Sequence, residues 1–269
     1  ISLITSLFFP HNFIHNIILH LIGVLSFVFL RVKNKKNYLK IIFLILIFSF
    51  SALLISKTHD DFSYYHLPFT KYLTEQKIIF GMGNLGHGYK LISSLFFLNS
   101  TFYLPFIEYY SFHFSIIFFL IFFNYFILSE VFFQKSHEII KFLYILSFTY
   151  FNLSFNRLAE YGTDKPGQLL IVILVIKLLQ IIIVERKENQ INQILLLIPL
   201  LAYCITLKTY FLPYIILAFS IIIMQERLKI ILKGIILSKA LLFFIISLSI
   251  YFLHHFVSTG CLISPLPAT

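Results

Sequence analysis

Long apolar runs separated by short polar segments recur from one end of the chain to the other. Most of these runs approach the length of about 20 apolar residues with which a helix crosses the hydrocarbon core of a membrane. The pattern predicts eight spans, with edges placed to within about three residues. The predicted spans are 13–30, 38–56, 109–128, 139–156, 168–184, 194–207, 209–224 and 235–253. The sixth and seventh are short, and one re-entrant pair around Lys208 is an alternative to two spans.

The composition agrees with a membrane protein and excludes a soluble domain of this size. Of the 269 residues, 59% are apolar and 12% are charged, and the mean hydropathy is +0.91. The fold class that we predict is all-α, a polytopic transmembrane helix bundle forming one domain over 1–269. The two cysteines show no metal-ligand spacing. Because the chain lacks an initial Met and stops in a polar stretch, we expect a fragment with both ends incomplete.

The basic residues predict how the spans are oriented in the membrane. Lys and Arg concentrate in one set of alternate short loops, which the positive-inside rule places in the cytoplasm. This distribution explains the net charge of +10 without nucleic acid, and it makes the lipid bilayer the expected partner. Loop 57–108, loop 157–167 and the C-terminal tail then face outward from the cytoplasmic membrane, where their side chains can converge.

The first outward loop begins with two adjacent carboxylates, Asp60 and Asp61, followed by Tyr64, Tyr65 and His66. A carboxylate beside a like charge is a candidate base near neutral pH, and the pair also suits a divalent cation. The Tyr and His side chains offer hydrogen-bonding faces for a sugar or a phosphate. The structural alternatives are a helix cap at Asp61 or His66 and an aromatic belt at the membrane interface. No other cofactor is indicated.

Three further features follow in the same loop. Segment 68–77 is expected to form a short interfacial helix, since its residues 69, 72, 73 and 76 share one face. The glycine-rich segment 81–88, "GMGNLGHG", lacks the Gly-Lys-Ser/Thr of a nucleotide-binding loop, so we expect a flexible loop or backbone N–H groups that meet a lipid-linked phosphate. Segment 91–98 is too short to span a membrane and is expected to re-enter it or pack on the bundle.

The second outward loop crowds Arg157, Glu160, Asp164 and Lys165 between two spans. Arg157 and Lys165 are candidates to neutralise a phosphate, and Glu160 is a further substrate-binding candidate. Asp164 directly precedes Lys-Pro, so capping of the next helix is an even alternative to a catalytic role. Lys208 lies between two short apolar runs, a costly position for a cation that often marks function.

These residues resemble the GT-C superfamily of integral membrane glycosyltransferases, which use polyprenyl-phosphate-linked sugars on the outer face of the membrane. The resemblance rests on an acidic outward loop after an in-to-out span, a short helix behind it and a second acidic loop. The run "DDFSYYHLPF…IIFGMGNLGHGYKLISSLFFL" and "STGCLISPL" (258–266) are also similar to an uncharacterised group of bacterial membrane proteins placed near GT-C.

The resemblance implies a role for each candidate. Asp60 would be the catalytic carboxylate, acting as base or metal ligand, with Asp61 as its alternative. Asp164 would be the carboxylate of the second loop. The cations expected to stabilise the leaving lipid phosphate are Arg157, Lys165 and Lys208.

Two other classes stay open. Transporters and flippases of envelope precursors place ionisable residues inside the membrane, as Lys177 and Lys208 would be here. A polymerase or ligase of surface polysaccharide outside GT-C also combines outward loops with lipid-linked donors.

Overall fold

Helices form where the chain is apolar, because a backbone without water around it satisfies its hydrogen bonds within one segment. The computed structural model describes residues 1–29, 43, 61–134, 136–154, 162–183, 190–224 and 228–262. These ranges contain no β-strand, which confirms the all-α prediction for the described part of the chain. Apart from residue 43, the predicted span 38–56 lies outside it.

In chain order, the helices of the described residues are α1 (Ser2–Thr5), α2 (Phe13–Phe29), α3 (Leu67–Glu75), α4 (Ser94–Ser100), α5 (His113–Phe132), α6 (Glu138–Leu153), α7 (Asp164–Ile183), α8 (Gln190–Leu207), α9 (Tyr214–Ile223), α10 (Leu228–Ile236) and α11 (Lys239–Thr259). A π-helical turn leads directly into α3 and comprises Phe62–His66. Short 3₁₀ turns occupy Met82–Leu85, His87–Lys90, Tyr109–Phe112 and Thr209–Phe211.

Three segments of the described chain are long and apolar enough to cross a membrane. They are Tyr109–Phe132, which contains α5, together with α7 and α11. Shorter apolar helices occupy Phe13–Ser26, Ile191–Leu207 and Thr209–Ile223. A helix rises about 1.5 Å per residue against a hydrocarbon core about 30 Å thick, so length alone supports three spans. The total of about eight stays a prediction.

The last predicted span begins and ends later in the structure than the sequence pattern predicts, because a serine caps the helix start. The apolar run predicts 235–253, but Ser238 interrupts it between α10 and α11. The Ser238 hydroxyl accepts a hydrogen bond from the backbone N–H of Leu241 at 3.1 Å, which satisfies one of the unpaired donors at the start of α11. Helix α11 then continues to Thr259 and carries the buried polar residues His254 and His255 inside it.

The described residues divide into two compact units. The first takes its described residues from Ile1–Phe122, Phe155–Thr163 and Leu253–Thr269. The second takes them from Phe123–Ser154 and Asp164–Phe252. The prediction of one domain over 1–269 stays a prediction.

A buried amide organises the first unit. The side-chain nitrogen of Asn16, at the start of α2, lies within hydrogen-bonding distance of the carbonyl oxygens of His11, Ser100 and Tyr103, at 2.7, 2.8 and 2.9 Å, and its two hydrogens are shared among them. Nearby, His11 Nδ1 lies 2.6 Å from Ser100 Oγ. Burial, with a smaller contribution from His15, lowers the pKa of His11 to about 3, so this ring is neutral near pH 7. The network joins α2 to the end of α4.

The short helix predicted over 68–77 is present as α3, with Pro68 in its first turn where the missing N–H costs nothing. The surroundings of its apolar face differ from those expected. Phe69 and Leu73 are fully buried, and α3 packs against α4, whereas Gln76 is exposed. Protein therefore covers the apolar face that was expected to lie in the membrane interface.

The glycine-rich segment 81–88 forms two short 3₁₀ turns and packs closely against its neighbours at Gly83 and Gly88. Its flexibility elsewhere stays a prediction. A Cβ on Gly88 would lie 2.2 Å from Cβ of Tyr65, and one on Gly83 would lie 2.9 Å from the carbonyl oxygen of Ser258. Glycine is required at both positions because neighbouring atoms approach its backbone too closely for a side chain.

Helix α7 is the centre of the second unit. It packs against α6, α8 and α9, and buried apolar residues surround most of it. A reciprocal amide pair joins the second half of α5 to α6: Asn124 donates to Asn152 at 3.0 Å, and Asn152 donates back at 2.8 Å. Polar atoms between these apolar helices are thus satisfied by each other.

Replacing Asn16 by Ala is expected to destabilise the protein, because it leaves buried carbonyl groups without donors at about 1–3 kcal/mol each. Thermal unfolding of the detergent-solubilised protein should show a fall in melting temperature of several degrees. The matched control is Asn84→Ala, whose side chain is exposed. Equal melting temperatures for the two variants would contradict the role given to Asn16.

Gly88→Ala is expected to prevent normal folding or to lower stability by roughly 1–3 kcal/mol or more, because the new methyl group overlaps Tyr65 Cβ close to its backbone. Gly86→Ala is the control, since a Cβ there would lie 3.7 Å from the Tyr89 ring, an ordinary contact. Folded yield and melting temperature measure both. A well-tolerated Gly88→Ala would show that the segment has room to move.

Candidate functional site

Three of the predicted site residues, Asp60, Arg157 and Glu160, lie outside the described residues, and their roles stay predictions. Among the residues that the structure does describe, no group of three or more His, Cys, Asp or Glu side chains is arranged to hold a metal ion. A metal role for Asp60 with Asp61 therefore also stays a prediction.

The described candidate residues of the first loop, Asp61, Tyr64, Tyr65 and His66, divide into an outer and an inner set. Asp61 is half-buried and makes no side-chain capping hydrogen bond to the π-helical turn that it precedes, so helix capping does not explain it. The Tyr64 side chain is 60% exposed. In contrast, His66 is buried, with its ring 4.3 Å from that of Tyr65 and 5.6 Å from that of Phe96.

The described part of loop 157–167 approaches this inner set. A Cβ built on Gly162 would lie 3.9 Å from Cε1 of His66. Gly162 precedes Asp164 by two residues. The two outward loops predicted from the sequence therefore meet within the first unit, at His66.

Two predicted site residues of the second unit form an ion pair. The Lys208 ammonium donates to the Asp164 carboxylate at the N-terminal end of α7. Both side chains are partly exposed, at 42% for Lys208 and 61% for Asp164. An exposed pair of this kind contributes at most about 1 kcal/mol to stability, so the charges there remain available to a ligand.

Lys165 occupies a more enclosed position beside this pair. It is 7% exposed, and its Nζ donates to Ser154 Oγ at 2.7 Å. The same ammonium lies 4.8 Å from the ring centroid of Phe151 and 5.5 Å from that of Tyr150. The end of α6 thus holds the cation in one orientation through a hydrogen bond and cation–π contacts.

A close backbone contact positions Lys208. A Cβ on Gly167, in the first turn of α7, would lie 2.3 Å from the Phe211 ring. Because Gly167 has no side chain, Phe211 packs directly against α7 and brings the preceding turn, with Lys208, to Asp164.

The N-terminal end of α7 has the chemistry of an anion site. A helix N-terminus carries partial positive charge and unpaired N–H groups, and two lysines lie beside it. Asp164 neutralises Lys208 in the structure as it stands. An incoming phosphate can replace that carboxylate as the partner of the ammonium, so the end of α7 is suited to a phosphorylated ligand.

Glu130, which the sequence pattern did not single out, is the partner of Lys177. Lys177 Nζ lies 2.9 Å from Glu130 Oε2 and donates to Gln180 Oε1 at 3.1 Å. The two charged side chains are 19% and 12% exposed, and Lys177 also lies 5.4 Å from the Phe126 ring. The signal in the sequence was two opposite charges in separate apolar helices, each of which needs a partner.

The chain matches one family of known sequences. A family model described as "Domain of unknown function (DUF8201)" matches residues 1–269. No curated protein and no solved structure matches the chain.

Removing one charge of the Glu130–Lys177 pair is expected to destabilise the second unit by about 3–5 kcal/mol, because the other charge is left buried and unpaired. Glu130→Gln should therefore lower the melting temperature strongly, whereas Glu130→Met combined with Lys177→Met should recover most of the loss. Glu138→Gln, in the exposed Glu138–Lys141 pair, is the control. A double variant no better than the single one would contradict a pairing role.

Proposed function

We propose that this chain, which belongs to the family of unknown function DUF8201, is a membrane glycosyltransferase of the GT-C type. In this proposal a sugar moves from a polyprenyl-phosphate-linked donor to an envelope acceptor on the outer face of the membrane. The observation that carries the proposal is the grouping of Asp164, Lys165 and Lys208 at the N-terminal end of α7. A lipid phosphate that leaves from a sugar needs such cations around it.

The proposed reaction is a displacement at the anomeric carbon of the donor sugar. The acceptor hydroxyl oxygen bonds to that carbon as its bond to the phosphate oxygen breaks, and the lipid phosphate leaves with the bonding electrons. A carboxylate takes the proton of the hydroxyl. Asp60 is the proposed base and Asp61 its alternative, and a divalent cation bound by this pair would orient the acceptor.

The cations at α7 suit the other half of this displacement. Lys165 is held in place before any ligand arrives, so no reorientation is required as charge builds on the phosphate. Lys208 exchanges the Asp164 carboxylate for the phosphate. Arg157 is the further cation proposed for this group.

The finer topology belongs to the same proposal. About eight spans cross the cytoplasmic membrane, with 38–56 among them, and the loops that hold Asp60 and Asp164 face outward. The described helices of sufficient length and the basic residues in alternate loops support this arrangement. Tyr64 and Glu160 would then lie on the substrate side.

One observation favours a transporter or flippase as a second candidate. The Glu130–Lys177 pair joins two apolar helices, and ionisable residues in that setting often form substrate or ion pathways. Uptake of a labelled envelope precursor into proteoliposomes, lost when the two charges are exchanged between positions 130 and 177, would support transport over transfer.

The enzyme proposal predicts that Asp60→Ala leaves the protein in the membrane and lowers sugar transfer by roughly 10²–10⁴-fold, the usual contribution of a general base. Lys165→Met is expected to lower it by roughly 10²–10³-fold through lost stabilisation of the leaving phosphate. The measurement is incorporation of labelled sugar from a polyprenyl-phosphate-linked donor into envelope polymer.

Lys71→Gln is the matched control, because Lys71 forms only an exposed pair with Glu75 on α3. Its transfer rate should equal that of the unchanged protein. Normal glycan with Asp60→Ala would remove Asp60 from the mechanism, and normal glycan with Lys165→Met would remove the end of α7 from it.

A further inference from the structure

A tight hairpin with an apolar tip joins the region after α4 to the start of α5. Leu104 and Glu108 face each other in an antiparallel bridge, closed by a hydrogen bond from the Glu108 N–H to the Leu104 carbonyl oxygen at 2.8 Å. Pro105, Phe106 and Ile107 form the tip between them. The tip therefore has no polar side chain, and the acidic residue lies at the base.

The tip exposes its side chains in a conformation that such residues rarely adopt. Phe106 is fully exposed with φ of 70°, and Ile107 is 45% exposed. Glu108 also has positive φ, at 52°. Backbone strain persists only where surrounding structure holds it, and such positions concentrate at functional sites.

The base of the hairpin is firmly held. The Ser111 hydroxyl is buried and lies within hydrogen-bonding distance of the carbonyl oxygens of Glu108, at 2.7 Å, and Phe102. The Tyr103 carbonyl accepts from Asn16, and the Tyr103 ring stacks on Phe13 with centroids 4.3 Å apart. Exposure of the tip is thus imposed by its buried base.

The hairpin is continuous with an exposed apolar surface. It leads directly into Tyr109–Phe132, the first of the described segments that are long and apolar enough to cross a membrane. Phe118 and Phe122, one helical turn apart, form an exposed stripe on α5, and the Phe102 ring packs 5.9 Å from that of Phe118. The exposed Tyr110 lies two turns before Phe118, in the position of an interfacial aromatic residue.

We propose that the 104–108 hairpin is a membrane wedge that inserts Phe106 and Ile107 into the lipid leaflet at the N-terminal end of α5. Burial in lipid removes from water the two apolar side chains that the protein leaves uncovered. Glu108 limits the depth, because its carboxylate stays at the level of the headgroups. The wedge is therefore shallow, and it does not depend on the proposed enzymatic function.

The absence of Trp from the 269 residues allows a direct test. Phe106→Trp, reconstituted as the full chain in lipid vesicles, contains a single fluorescent indole at the tip. We expect blue-shifted emission, and a greater loss of fluorescence with lipids brominated near the headgroup than with lipids brominated near the chain end. Ile107→Trp is a second reporter at the same tip and should give the same order.

Two single-Trp controls distinguish insertion of the hairpin tip from membrane insertion of the protein as a whole. Phe118→Trp, on the exposed stripe of α5, should be quenched most by deeply brominated lipid, and Lys71→Trp, on an exposed charged face, should be quenched by aqueous acrylamide. Quenching of both tip reporters by acrylamide alone, with Phe118→Trp still quenched by lipid, would overturn the wedge. Shielding of the tip from both quenchers would also overturn it, because a protein surface would then cover it.

Discussion

A polar group between apolar helices has to find its partner inside the protein, and the described structure depends on this constraint. Asn16 meets it with three backbone carbonyls, Asn124 with Asn152, and Lys177 with Glu130. Apart from the contact of Asn16 with His11, each pairing joins residues at least 28 positions apart in the chain. Apolar burial draws such helices together without specifying which faces meet, whereas these directional contacts do specify them.

The ion pair at the N-terminal end of α7 differs in exposure from the ion pair between the apolar helices α5 and α7. The Glu130–Lys177 pair is largely enclosed, so its charges are committed to each other. Lys208 and Asp164 are partly exposed, and an exposed pair exchanges partners at little cost. Cations that can change partners are suited to a ligand whose charge grows during a reaction. This difference in exposure connects the packing of the second unit to the proposed transfer chemistry.

The sequence predicted what depends on local pattern. Apolar runs indicated the helices, and Pro68 with its neighbours indicated α3. Each of these signals is local, because the residues that form it lie within a few helical turns. Contacts between distant residues could not be predicted this way. Nothing in "GMGNLGHG" shows that Tyr65 fills the space beside Gly88, and Glu130 and Lys177 have no local pattern in common. Likewise, the sequence placed Asp164 and Lys208 in one candidate site, but their direct pairing required the Phe211–Gly167 contact.

Photo-crosslinking tests the proposal that the N-terminal end of α7 binds a polyprenyl phosphate. A diazirine-bearing polyprenyl phosphate would be irradiated with the full chain in lipid nanodiscs, and labelled peptides would be identified by mass spectrometry. We expect saturable labelling near Ser154, Lys165 and Lys208 that unlabelled polyprenyl phosphate competes away. Labelling confined to lipid-exposed helices such as α2, without competition, would contradict it.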